Sequence, residues 1–408
     1  MHTSKEIIEK TNKYGAHNYA PKPVVIVKAE GAVVTDPEGR QYFDMLSAYS
    51  AHNFGHRHPE IVAAAKAQLD KCTLTSRAFH CENLGDFYEA LTKLTGKDMV
   101  LPKNTGAEAV ETALKTARLW GAKVKGVENG KQEIITCANN FHGRTIAIIS
   151  FSTDPLAKDN YGPYCPGFKT IPYGDAQALR DAITPNPVAF LAEPIQGEAG
   201  IIVPPEGWLT EVRQICTENN ILFLADEVQT GFARTGDMFA CWHENVIPDI
   251  YIMGKALGGG VMPLSAIAAN EDILGLYTPG SHGSTFGGNP LACACGVKAL
   301  EILQRDDYPR LAREKGKYFM DGLKKIHNPE IKEVRGRGLL IGVEFYGDAF
   351  DYVKACIHEG VLCKETHDHT IRFAPPIPVT YEELERHLPA QLPDTRQLSR
   401  ATPACSSA

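Results

Sequence analysis

Two short apolar runs, each ending in a charged residue, constrain this chain more than any other feature. Ile221 to Ala225 (ILFLA) runs into Asp226, and Ile250 to Met253 (IYIM) runs into Gly254 and Lys255. Unbroken apolar runs of this length suit strands buried on both faces, as in a parallel sheet with its site at the carboxyl ends. The two runs therefore bring a carboxylate and a primary amine to the open edge of one sheet. Gly258, Gly259 and Gly260 follow the lysine and let backbone pass close to something bulky. They are not a phosphate loop, since Lys255 precedes them and no G-x-x-x-x-G-K-S/T pattern is present.

The same alternation extends from about residue 100 to 270. Glu133 to Ala138 and Val188 to Ala192 read as further buried strands, and Trp208 to Glu218 as a helix returning to Ile221. Strand, helix and polar loop in this order predict an α/β fold with a mostly parallel, doubly wound sheet. Before the helix through Ala109, Ala113 and Ala117, Asn104 and Thr105 supply caps. Gly106 leaves backbone N–H groups open there, where the helix dipole favours an anion. The loop Asn139 to Thr145 offers Phe141 as an aromatic face and Arg144 as a bidentate grip for a carboxylate.

Flanking segments complete the organisation. Residues 1–45 form an arm and a hairpin that packs with the small domain: a helical pattern from Lys5 to Asn12, then Ala32 to Thr35 and Gln41 to Asp44 around a turn at Asp36 to Gly39. Residues 46–290 form the large domain. Residues 291–388 form a smaller α+β domain, with Val334 to Phe345 read as a central strand, Cys363 to His369 as a loop and Thr370 to Pro376 as a strand. Pro389 cuts the last helix, and 389–408, without apolar periodicity, is expected to be disordered. His52, His56 and His58 have no carboxylate or cysteine at ligand spacing, so no metal site is expected.

Composition excludes other classes. A net charge of −7 and the lack of a long basic run recommend neither nucleic acid nor an anionic membrane as partner. No apolar stretch approaches the ~18 residues of a membrane span. The charged start MHTSKEIIEK lacks a secretory h-region, and eleven cysteines without C-x-x-C spacing fit reduced thiols. The expected location is cytoplasmic.

An amine beside an acid at a sheet edge suits Schiff-base chemistry with pyridoxal 5′-phosphate, whose ring nitrogen must stay protonated to draw electrons from a substrate carbon. Two isolated residues would read as a solvated charge pair, but their surroundings are specific. ADEVQTGFARTG, then PDI and GKALGGG, resembles the cofactor core of the fold-type I, class III (omega) aminotransferases. The resemblance covers residues from about 14 to 385. It implies Lys255 as the Schiff-base lysine, Asp226 as partner of the ring nitrogen and Gln229 as a hydrogen bond to the ring hydroxyl. Gly106 and Ala107 would give backbone amides to the phosphate, Phe141 would stack on the ring, and Thr285 of GSHGSTFGGNP would reach the cofactor phosphate of the neighbouring subunit. A homodimer with shared sites follows from that last role.

Among family members, YGAHNY, LSAYSAHN, LTSRAFH, NNFHGRT, EPIQGEAG and IRFAPP are most similar to those acting on L-ornithine. Such members move its δ-amine to 2-oxoglutarate, giving glutamate and glutamate 5-semialdehyde, which cyclises. NYAPKP departs from the His-Pro-Leu-Pro more usual after the tyrosine. By that likeness Tyr19 and Arg144 hold the α-end of ornithine and Tyr49 flanks it. Arg372 would take the α-carboxylate of glutamate, and Glu198 would cover Arg372 while ornithine is bound. Acetylornithine, 4-aminobutyrate and lysine aminotransferases share the cofactor core, an aminomutase or racemase would share Lys255, and a non-catalytic scaffold would keep the motifs only in part.

Overall fold

A computed structural model describes residues 2–388 and Leu392; the disorder expected of 389–408 otherwise lies outside the described residues. Leu392 is buried against the apolar core.

Seven strands form the central sheet, in the order Met99–Lys103, Ser265–Ala269, Ile250–Met253, Leu222–Asp226, Pro187–Ala192, Glu133–Cys137 and Phe168–Ile171. Ser265–Ala269 runs antiparallel to both neighbours, and the pairings from Ile250–Met253 across to Phe168–Ile171 are parallel. Every residue of Pro187–Ala192, Leu222–Asp226 and Ile250–Met253 is buried, which is why these strands read as unbroken apolar runs. Helix Gly106–Trp120 lies on one face and buries Ala109, Ala113 and Ala117, small side chains that allow close approach. At its far end Gly121 meets Val188 so closely that an added Cβ would lie 2.2 Å from Cγ1.

Two smaller sheets flank this one. Ile331–Arg337, Leu340–Phe345, Thr370–Phe373 and Lys364–Thr366 form an antiparallel sheet in that order. The stretch expected as one central strand from Val334 to Phe345 is thus two. Gly336 and Gly338, with φ of 141° and 54°, turn the chain back on itself at a position where the apolar pattern alone gives no break. Likewise the expected loop Cys363 to His369 contributes a short edge strand. The third sheet joins the amino-terminal Lys28–Glu30, Val33–Thr35 and Gln41–Asp44 to Val361–Leu362, the last pairing parallel.

One apolar core runs from Phe87 and Leu264 beside the large sheet to Phe345 and Phe373 of the small one. Arg234 crosses this region fully buried. Its guanidinium donates to Asn53 Oδ1 at 2.6 and 3.0 Å and to the carbonyls of Leu339 (3.0 Å) and Pro375 (2.6 Å). Burial pulls its pKa down to about 9.

Candidate active site

The carboxyl ends of the central strands converge on one cleft. Its walls include Gly106, Phe141, Glu193, Glu198, Asp226 and Lys255, with Ala107, His142, Val228 and Gln229 among the remaining lining residues. Asp226 is the last residue of its strand, and Lys255 lies two residues past the end of the neighbouring one. Lys255 holds a left-handed φ of 45°, a conformation few non-glycine residues adopt. Burial lowers the pKa of its amine, opposed first by Glu198.

Helix Gly106–Trp120 is closed by a capping box: Thr105 Oγ1 accepts from Glu108 N–H at 3.2 Å, and Glu108 accepts from Thr105 N–H at 3.0 Å. Asn104 does not cap the helix; its amide donates to Glu108 and its side chain to Ser284 Oγ at 3.0 Å. The box leaves the amides of Gly106 and Ala107 without a partner among the described residues. They face the cleft, so the anion seat expected from the sequence is free to accept one. A side chain at 106 would crowd it, since a Cβ there would lie 3.0 Å from Val228.

Asp226 Oδ1 accepts from Val228 N–H at 3.0 Å, and Oδ2 lies 2.6 Å from His142 Nδ1. His142 is the residue the sequence reading passed over. Burial alone would depress its pKa, but Asp226 raises it, which favours an imidazolium beside a carboxylate. Its Nε2 is buried without a partner. Glu193, also passed over, accepts from Phe141 N–H at 2.9 Å and Gly197 N–H at 3.4 Å. Burial pushes its carboxyl up to about 7, against the pull of His142.

At the cleft mouth Glu198 Oε1 meets Arg372 Nη1 at 2.5 Å and accepts from Gln229 Nε2 at 3.0 Å. Burial would raise the Glu198 pKa, yet Arg372 and then Lys255 hold it down at about 2. Arg372 is wholly buried, and its Nε has no partner. Gln229 touches this ion pair, and a Cβ at Gly197 would fall 1.5 Å from Gln229 Oε1, so a side chain there would push the Gln229 amide out of this place.

Tyr49 lies over the Arg372 guanidinium at 4.8 Å. It belongs to the turn Ser47–Ser50, four consecutive non-glycine residues in the left-handed region. Such a conformation costs roughly 1–2 kcal/mol per residue.

Other expected residues stand further out. Arg144 lies 5.5 Å from the Phe141 ring and is exposed. Tyr19 is 74% exposed and lines a separate groove with Ile7, Ile8 and His17 of the arm. Thr285 is exposed on a loop that Lys103 and Asn104 tie down through Gly283 O and Ser284 Oγ. Among the described residues no cluster could hold a metal ion, and no helix is long and apolar enough to cross a membrane. His52 and His56 stack at 4.2 Å.

The class-III aminotransferase model matches residues 14–390, so the chain belongs to that family and has its fold-type I architecture. Its cofactor is pyridoxal 5′-phosphate, and the free amides at Gly106 and Ala107, with Phe141, Asp226 and Lys255 lining the same cleft, suit that group. An ornithine aminotransferase of Geobacillus sp. (strain WCH70) is 60% identical over 385 residues, covering 94% of this chain and 97% of that protein. One from Bacillus subtilis (strain 168) is 59% identical over 382 residues, covering 94% and 95%. The crystal structure of the ornithine aminotransferase from Toxoplasma gondii ME49 superposes with a TM-score of 0.96 at 40% identity, over 98% of this chain and 97% of that one. An acetylornithine aminotransferase from Elizabethkingia anophelis reaches a TM-score of 0.87 at 44% identity, over 96% and 98%.

Proposed function

We propose that this chain is an ornithine aminotransferase, moving the δ-amine of L-ornithine to 2-oxoglutarate and yielding glutamate and glutamate 5-semialdehyde. Near full-length identity of 60% to a protein of that name supports the reading. The observation that carries it is the Glu198–Arg372 pair at the mouth of the cleft. An omega-transaminase must offer an arginine to the α-carboxylate of glutamate, yet hide it from the identical group on ornithine.

Pyridoxal phosphate, when bound, supplies an electron sink for the carbon that loses a proton. This chain's residues do the rest. The amides of Gly106 and Ala107 would hold the phosphate, Phe141 would pack on the ring and Gln229 would bond its hydroxyl. Asp226, oriented by His142, would pair with the ring nitrogen and favour its protonated form. Lys255 would anchor the cofactor, and its amine would carry the proton at the substrate carbon. Its lowered pKa favours the neutral base this needs. Tyr19 and Arg144 hold ornithine by its α-end, with Tyr49 flanking it; glutamate instead displaces Glu198 from Arg372.

The catalytic unit in this reading is a homodimer, with Thr285 acting on the neighbour's phosphate. Cytoplasmic location is part of the same reading, supported by eleven cysteines scattered without C-x-x-C spacing. The deciding assay supplies ornithine and 2-oxoglutarate and traps the cyclised product with an aromatic aldehyde. Turnover of N-acetylornithine with no trapped product from ornithine would overturn the assignment.

A further inference from the structure

The turn Ser47–Ser50 poses a physical question. Its φ values of 50°, 46°, 59° and 73° bring each Cβ toward a carbonyl oxygen, and no glycine relieves the crowding. Its own hydroxyls do not compensate, since Ser47 Oγ and Ser50 Oγ are buried without a hydrogen-bond partner. The turn is therefore held from its flanks.

The preceding flank is Asp44, the last residue of the strand that joins the arm to Val361–Leu362. Asp44 Oδ1 accepts from the amides of both Leu46 and Ser47 at 2.8 Å. Its second oxygen lies 2.9 Å from His56 Nε2. Burial would raise the Asp44 pKa, but His56 and these two amides bring it below the ordinary value, so the carboxylate stays charged. His56 is fixed in turn by reciprocal backbone hydrogen bonds with Gly31, at 2.7 and 3.0 Å. On the following flank His52 N–H donates to Ser47 O at 3.0 Å. The outcome of this bracing is the placement of the Tyr49 ring over Arg372, the guanidinium whose Nη1 Glu198 already occupies.

We propose that Asp44 and His56 are positioning residues for substrate choice: their hydrogen bond braces the left-handed turn that keeps Tyr49 as a lid over Arg372. Glu198 screens the charge of Arg372, while Tyr49 occludes its face. Loosening the brace uncovers the guanidinium. The α-carboxylate of ornithine then docks there and presents the α-amine in place of the δ-amine. Glutamate, which needs Arg372 exposed, loses little. The inference rests on the ornithine reading above.

Asp44→Asn and His56→Gln are the direct tests, read by single-turnover kinetics with ornithine and with glutamate, by product analysis for α- against δ-transfer, and by the thermal midpoint. The expected result is a roughly tenfold fall in ornithine kcat/KM through KM, measurable α-transfer, and glutamate kinetics changed less than about threefold. Ala48 is exposed at φ 46°, so Ala48→Gly removes the Cβ crowding without touching the cleft. Added to Asp44→Asn, it is expected to restore both product ratio and midpoint. Should Asp44→Asn not fold, His56→Gln, which removes a single bond, carries the test. Lowered midpoints with an unchanged α-to-δ ratio, or equal losses with both substrates, would show that the brace serves only the fold. Whether the wild-type protein turns over ornithine at all is read in the same experiment and decides the functional reading separately.

Discussion

The cofactor side and the substrate side of this cleft are built differently. Asp226 and Lys255 sit at or just past the ends of strands whose every residue is buried, and buried His142 bonds Asp226 there. Of the residues proposed to grip the substrate, Tyr19 stands exposed on the arm and Arg144 is exposed beside Phe141, whereas Arg372 is buried. The difference teaches where precision is stored. Asp226 and Lys255 are fixed by the sheet, whereas Tyr19 and Arg144 lie on peripheral segments, which change at smaller cost to the core.

The strongest way to break this comparison is at Lys255. Lys255→Ala is expected to cost more than about 10⁴-fold in turnover, since nucleophile and proton carrier vanish together. Borohydride reduction and peptide mapping of the wild-type protein should label Lys255; a label on another lysine would contradict the assignment. Completion of the cofactor site by a second copy is tested by mixing Lys255→Ala chains with chains disrupted at Thr285. Randomly exchanged hybrids, each with one intact site, should recover about a quarter of wild-type activity. Hybrids proven to form yet inactive would show that the exposed loop serves its own chain.

A subtler effect falls at the boundary between the two regions. Glu198→Ala should impair the ornithine half-reaction about tenfold or more, spare the glutamate one and let α-transfer appear. Equal loss with both would make Glu198 a support for the loop. The smallest effect belongs to Glu193, whose folded pKa of about 7 lies above its ordinary 4.5. A carboxyl raised on folding binds its proton more tightly in the native state, so its ionisation destabilises the fold as pH rises from 4.5 to about 7. The thermal midpoint of Glu193→Gln should therefore gain on wild type across that window. Parallel pH profiles would mean that Glu193 ionises without penalty.

The two regions also differed in legibility. Ile250–Met253 and Pro187–Ala192 were readable because a strand buried on both faces has no polar residue to blur its pattern. The hairpin at Gly338 was not, because glycines inside EVRGRGLLIGVEF also fit a strand interior. His142 escaped notice because nothing in NNFHGRT marks an imidazole whose partner lies 84 residues away. The left-handed turn was invisible for a plainer reason: its own residues, SAYS, include none that favours it, and only tertiary contacts impose it.

Arg234 bears on how the two sheets move. A guanidinium buried without a carboxylate, giving four hydrogen bonds to Asn53, Leu339 and Pro375, is a rivet through the seam between the sheets. Hydrogen bonds to charged groups contribute about 1.5–3 kcal/mol each, and here water is not at hand to replace them. Pro375 lies three residues beyond Arg372, so the rivet pins the chain just past the strand that carries that arginine. Parting the two sheets at this seam would break all four bonds together, which makes the frame around Arg372 stiff.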